Sequence, residues 1–209
     1  MVSKKLLEEI EHLDAESIAR YNRNRSEKYR LHTELGPCPY EGDIENAPIV
    51  LLLANPGFDD DSDINDHRFH HEGWALSGLH SEAPDGMRIW WRARLKRLTD
   101  EFGLHHVANN VAAIQLCAWA SRKFDGSLRL PSRQLQLKLA ESAAQRGALV
   151  LITRSFKLWC ESPVIAAHPR MHRANSYLNS RLTEGNYPKG WQEILSAMKA
   201  THTDNKESR

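Results

Sequence analysis

The sequence predicts an α/β domain of three layers, α/β/α, with a central four-stranded parallel sheet. Two apolar runs, PIVLLLA over residues 48–54 and ALVLITR over 148–154, lack the polar alternation of a strand with one wet face, so both faces of each must be covered. Amphipathic segments lie between them, and strands alternating with helices define a parallel sheet. In such sheets ligands collect beyond the carboxyl ends of the strands.

Residues 3–22 place Leu6, Leu7, Ile10, Leu13, Ile18 and Tyr21 at helical intervals, which predicts a helix packed by one face on the body. ELGPCPYEGDIENAP (residues 34–48) is punctuated by Pro37, Pro39, Gly42 and Pro48 and reads as a loop. The first strand follows at once. MRIWWRARLKRLTDEFG (87–103) is a helix with Ile89, Trp90, Leu95, Leu98 and Phe102 on its apolar face and Gly103 as its stop. HHVANNVAAIQL (105–116) reads as a β-type run, and LPSRQLQLKLAESAAQRG as a helix capped by Ser132 and ended by Gly147. After the 148–154 strand, SFKLWCE opens a short helix at Ser155, and PVIAAHPRMHR reads as a last strand ending at His168-Pro169. Residues 176–182 and 191–198 read as helical. The expected organisation is an N-terminal helical segment over 1–35, the α/β/α body over 36–200 and a frayed tail over 201–209.

Hydrophobic residues at 41% and charged residues at 26% are ordinary for a folded globular chain. No apolar run approaches the roughly 18 residues of a membrane span, and the start is charged and amphipathic rather than leader-like. A cytoplasmic monomer without a membrane partner is expected. Cys38, Cys117 and Cys160 lie far apart, which suits neither a disulfide framework nor a four-cysteine metal site. The net charge of +1 does not by itself point to a polyanion, but Arg88, Arg92, Arg94, Lys96 and Arg97 form one basic group and Arg170, Arg173 and Arg181 another. Asp59, Asp60, Asp61, Asp63 and Asp66 form an acidic run just after the first strand.

Two of the expected strands end in a polar residue followed by proline, Asn55-Pro56-Gly57 and His168-Pro169, and a parallel sheet would bring both turns to one edge. The ordered set LLLANPG, EGWALSGL, VANNVAAIQL, GALVLITRSFKLW and AAHPRMHR, spanning residues 37–198, resembles the uracil-DNA glycosylase superfamily. That resemblance implies a uracil-DNA glycosylase-like fold, a DNA partner, single-stranded or with a flipped base, and no cofactor or metal. The implied reaction is hydrolysis of the N-glycosidic bond of uracil or another deaminated or damaged base. It also implies site residues. Asn55 matches the position that holds the attacking water, where an amide orients but takes no proton, so slow turnover is expected. His168 matches the position that hydrogen-bonds the base oxygen as charge builds on it. Asn110, with Asn109 as the alternative register, falls where an amide reads the base edge. Ala54, Gly57 and Phe58 would surround the base with backbone amides. Leu76 stands where an aromatic would stack on the base, leaving stacking to Leu76 itself, Trp74 or Phe58. Arg170 and Arg173 would hold phosphates.

The sequence leaves two other readings open. One is a catalytically weak or inactive module of the same fold that binds nucleotide or nucleic acid, motivated by Leu76, Arg170 and the acidic run. The other is a metal-dependent hydrolase using His67, His70, His71 and His80 with Asp63 and Asp66, against which a solvated loop is the plainer account.

Overall fold

The computed structural model describes residues 2–61, 63–176 and 178–207, with side chains through Thr201. Its helices are α1 (Lys4–Asn22), α2 (Ile64–Arg68), α3 (Asp85–Phe102), α4 (Leu104–Asn110), α5 (Arg133–Gln145), α6 (Phe156–Trp159), α7 (Pro163–Ala166) and α8 (Trp191–Glu207). Its strands are β1 (Tyr40–Glu41), β2 (Ile49–Leu53), β3 (Val111–Gln115), β4 (Leu149–Ile152) and β5 (Met171–Arg173), joined in one sheet in the order β1-β3-β2-β4-β5. The pairs β2·β3, β2·β4 and β4·β5 are parallel. The two-residue β1 adds an antiparallel edge strand to β3 that the sequence did not announce, so the sheet has five strands rather than four.

All five residues of β2 and all of β3 and β4 are buried, as unbroken apolar runs require. Alternate residues feed two separate cores. Ile49, Leu51, Leu53, Val111, Ala113, Leu149 and Leu151 pack with α3, α4 and α8 through Trp91, Leu95, Val107 and Ile194. Val50, Leu52, Ile114, Val150 and Ile152 pack on the other face with Leu137, Ala140, Trp159 and Ile165 of α5, α6 and α7. The chain is therefore a mixed α/β protein with helices on both faces of its sheet.

Three local expectations were wrong. Residues 104–110 form α4 rather than strand, because Leu104, Val107 and Ala108 can turn toward the first core while His106 bonds the Met198 carbonyl. Residues 163–166 form α7 rather than strand: Ser162 accepts from the Ile165 amide as N-cap and Pro163 occupies the first helical turn. The last strand therefore begins only at Met171, and His168-Pro169 enters β5 instead of leaving a strand. Residues 178–182 are irregular, held by Asn186, whose Nδ2 donates to the Asn179 and Arg181 carbonyls.

The turn after β1 shows why Gly42 stands there. Its φ of +85° is a left-handed conformation, and a Cβ would lie 2.8 Å from both the Ala112 Cα and the Val111 carbonyl oxygen of the neighbouring strand β3.

Helix α1 is fastened by one buried group. Ile10 and Ile18 pack on Trp119 and Leu130, and between them the fully buried Asp14 accepts from Trp119 Nε1 at 2.8 Å, the Ser132 amide at 2.9 Å and the Ser132 hydroxyl. Ser132 thus spends its hydroxyl on Asp14 instead of capping its own helix. Asp14→Ala leaves three donors without an acceptor in a dry contact and is expected to cost about 2–4 kcal/mol. Urea unfolding of the variant, set against exposed Glu16→Ala as a near-neutral control, measures it.

Candidate functional site

The parallel strands give the sheet two chemically different edges. At the carboxyl edge β2 runs out into Ala54-Asn55-Pro56-Gly57-Phe58, and residues 116–121 continue beside it: Leu116 and Cys117 amides donate to the Leu53 and Ala54 carbonyls, and the Ser121 amide to Pro56. Asn55 is locked into this turn. Its Nδ2 donates to the Pro56 carbonyl at 2.7 Å, to Ser121 Oγ at 2.9 Å and to the Ser121 carbonyl at 3.3 Å. Its Oδ1 makes no hydrogen bond among the described residues, so the amide is oriented by one end and offers an acceptor at the other. Open space lies beside the exposed Gly57.

The chain reverses its direction of travel across the sheet between β2 and β4, and the crevice outside their carboxyl ends is where α/β sheets hold ligands. β4 leaves through Thr153, Arg154 and Ser155. Ser155 has φ +57° and ψ +34°, the one non-glycine positive φ among the described residues. Such strain persists where surrounding structure fixes it, and such conformations cluster at binding sites.

Arg154 and Arg181 lie within electrostatic reach of Arg94. Burial, then the charges of Arg154 and Arg181, lower the Arg94 pKa to about 10. Arg94 stacks on Trp90 at 3.9 Å and donates to Ser180 Oγ. Arg173, the last residue of β5 and the partner of Ile152, is exposed and lies 5.3 Å from the Phe156 ring centre. Among the described residues none of Arg94, Arg154, Arg173 and Arg181 is in an ion pair, whereas Arg122, Arg129, Arg133 and Arg170 all are.

Several residues expected at this site are elsewhere. His168 precedes β5, and its Nε2 lies 2.8 Å from the Ala148 carbonyl, just before β4. Asn110, the last residue of α4, immediately precedes β3, and its side-chain Nδ2 donates to the His106 carbonyl one turn back. Arg170 donates to the Gly147 carbonyl and pairs with Glu193. All three belong to the amino edge. Asn55 lies beyond the other end of a five-residue strand, which spans roughly 16 Å, too far for one base pocket. The register alternative, Asn109, clamps the 73–75 loop by accepting from the Ala75 amide and donating to Gly73. Leu76 is fully buried in the first core and cannot stack on a base. Phe58 is at the right edge, but His32 already stacks on it at 3.4 Å.

Of the residues expected to form the site, Ala54, Asn55, Gly57 and Phe58 share the turn after β2, and Arg173 ends β5 two strands away on the same side of the sheet. The sequence reading missed Gln115, Arg154, Ser155 and His32. Gln115 ends β3 opposite Leu53, is buried, and has an Oε1 with no hydrogen-bond partner among the described residues. An amide at a strand's carboxyl end was a readable signal, since the expected run over 105–116 ends beside it. The acidic run is largely spent within the protein: Asp63 and Asp66 form a reciprocal cap on α2, and Asp60 pairs with Arg122.

The histidines gather only in part. Nitrogens of His71 and His80 and a carboxylate oxygen of Glu82 lie within 4.8 Å of one another, but the two imidazoles stack face to face at 3.5 Å. Ring lone pairs lie in the ring plane, so stacked rings do not point at a common ion. His80 Nδ1 also already accepts from the Glu82 amide.

A cavity of about 510 Å³ lies away from both proline turns, between α1, β1 and the 67–78 segment. Glu41 is set in its wall, and Trp91 Nε1 donates to its Oε2 at 2.9 Å. Burial raises the Glu41 pKa from 4.5 to about 7, against the lowering effect of that indole bond. Burial pushes neighbouring His67 the other way, toward the neutral form, and its Nδ1 has no partner among the described residues.

Compared with protein-family models, curated proteins and solved structures, the chain matches none.

Glu41 generates a pH prediction. Its folded pKa is raised above its unfolded value, so its share of stability is complete below 4.5 and is lost as pH climbs through about 7. Glu41→Gln keeps an acceptor for Trp91 and removes the charge. It should match the wild type near pH 4 and exceed it by roughly 2–3 kcal/mol at pH 8, as urea midpoints at the two pH values will report.

Proposed function

We propose that this protein is a DNA glycosylase-like hydrolase that binds a single strand or a flipped nucleotide at the carboxyl edge of its sheet. The observation that carries the reading is the set of arginines with no ion pair among the described residues: Arg94, with Arg154 and Arg181 within its electrostatic reach, and Arg173 at the end of β5, with Arg154 following the strand next to the one that leads to Asn55. Guanidinium groups not paired with a carboxylate suit phosphate, which they hold through paired N–H donors. Asn55 supplies the oriented acceptor for a water and Gln115 an unsatisfied amide for a base edge. His168 has no part in this scheme. Departure of the base then rests on backbone donors and on the arginine field, which accords with slow turnover.

A second reading, binding without hydrolysis, is favoured by one specific observation: the histidine expected to stabilise the departing base sits at the opposite edge. The two readings separate in one assay. Oligonucleotides carrying uracil, hypoxanthine or a mismatched base, single- and double-stranded, are incubated with the protein and treated with alkali to reveal abasic sites. Glycosylase action predicts strand cleavage that Asn55→Ala reduces at least 100-fold and His168→Ala leaves within about twofold. Absence of abasic product from every substrate, with binding retained, leaves the binding module.

Binding itself tests the arginines. Arg154→Ala, Arg173→Ala and Arg181→Ala should each weaken single-stranded DNA binding and lower the slope of log K against log salt by about 0.7. Arg170→Ala, at the amino edge, should leave that slope unchanged. Fluorescence anisotropy across a salt series reads both.

A further inference from the structure

The cavity beside β1 holds chemistry that the nucleic-acid reading does not use. Its volume of about 510 Å³ is that of a small-molecule site. Leu7, Phe69 and Met87 supply apolar wall. Glu41 supplies a carboxyl group of which the Trp91 bond engages only one oxygen, and His67 adds a buried nitrogen without a partner among the described residues. Among lining residues of fixed charge, Glu8, Glu11 and Glu41 outnumber Lys4 and Arg68, so the cavity is net negative once Glu41 ionises.

We propose that this cavity binds a small flat amidinium cation, with paired N–H groups on the Glu41 carboxylate and an apolar ring against Phe69 and Met87. A carboxylate withdrawn from water must either take up a proton or pair with a cation. A planar amidinium answers it with two parallel donors, and its delocalised charge is easier to desolvate than an ammonium. The apolar wall then favours a ring over a chain. The site is independent of the carboxyl edge, so it stands or falls apart from the glycosylase reading.

Proton linkage gives a signature. Glu41 is half protonated near pH 7, so a bound cation should displace about half a proton per ligand at that pH. The other titratable or charged groups around the cavity are Cys38 and Tyr40 beside Glu41, Lys4, Glu8 and Glu11 on α1, and His67, Arg68 and His70 across from it; burial raises the Cys38 thiol and the Tyr40 hydroxyl, which keeps both neutral over this pH range.

Titration calorimetry of the full chain with benzamidine, at pH 7 in two buffers of different ionisation enthalpy, tests the proposal, with benzoate as the anionic control. The expected result is one benzamidine per chain with proton release, affinity rising several-fold from pH 6 to pH 8, and no binding of benzoate. Glu41→Gln, which retains the Trp91 acceptor, should weaken benzamidine at least tenfold and abolish proton release. Met87→Trp, which fills the cavity from the apolar side and leaves Glu41 in place, should weaken it as well while circular dichroism stays native. The proposal is overturned by no benzamidine heat at millimolar concentration, by equal binding to Glu41→Gln, or by binding without proton release.

Discussion

Everything at the candidate site depends on β2 being hydrogen-bonded to a parallel neighbour on each side. A central strand so placed cannot slip without reversing which core each side chain enters, since Val50 and Leu52 belong to one cluster and Ile49, Leu51 and Leu53 to the other. That register fixes where Asn55 emerges. Parallel polarity then decides which side chains can share a ligand with it: those that follow a strand can, and those that precede one cannot. Gln115, Arg154 and Arg173 are on the permitted side, and His168, Asn110 and Arg170 on the other.

The two regions of interest differ in how they carry electrostatic cost. Toward the carboxyl edge the cost is like-charge repulsion: Arg94 rests on Trp90 within reach of the charges of Arg154 and Arg181, whose exposure limits the repulsion, while Arg173 lies near Phe156 on the other face of the sheet. Around Glu41 the cost is desolvation of one carboxyl group, and the indole bond from Trp91 offsets only part of it. An anion would relieve the first arrangement and a cation the second. One surface with both polarities separated in this way has room for two unrelated ligands.

Sequence alone made β2, β4, α1, α3 and the main part of α5 legible, because long apolar runs and sustained helical spacing outweigh local noise. Short elements resisted. β5 has three half-exposed or exposed residues, Met171-His172-Arg173, with no apolar run to mark it. α4 has only seven residues, and Asn109-Asn110 in mid-segment suits helix and strand equally badly. α7 was different, for Ser162-Pro163 is a helix-start signal that the apolar Val164-Ile165-Ala166-Ala167 obscured. That one misreading carried His168, and Arg170 with it, to the wrong end of the sheet. Asn55 was legible because it abuts the strongest strand. Glu41 was not, since its perturbation comes from Trp91 and walls distant in sequence.

The brevity of β1 and β5 has a consequence for how copies of the chain meet. A sheet edge is a template for another strand, and its danger grows with the length of backbone it leaves unpaired. Here one border is two residues long and turns away at once through Gly42, while the other is three residues long and ends on a charged arginine. The long, sticky strands are all interior, so that neither border offers an incoming strand more than a residue or two of ladder, and the protein can keep an oily sheet without inviting its neighbours to extend it.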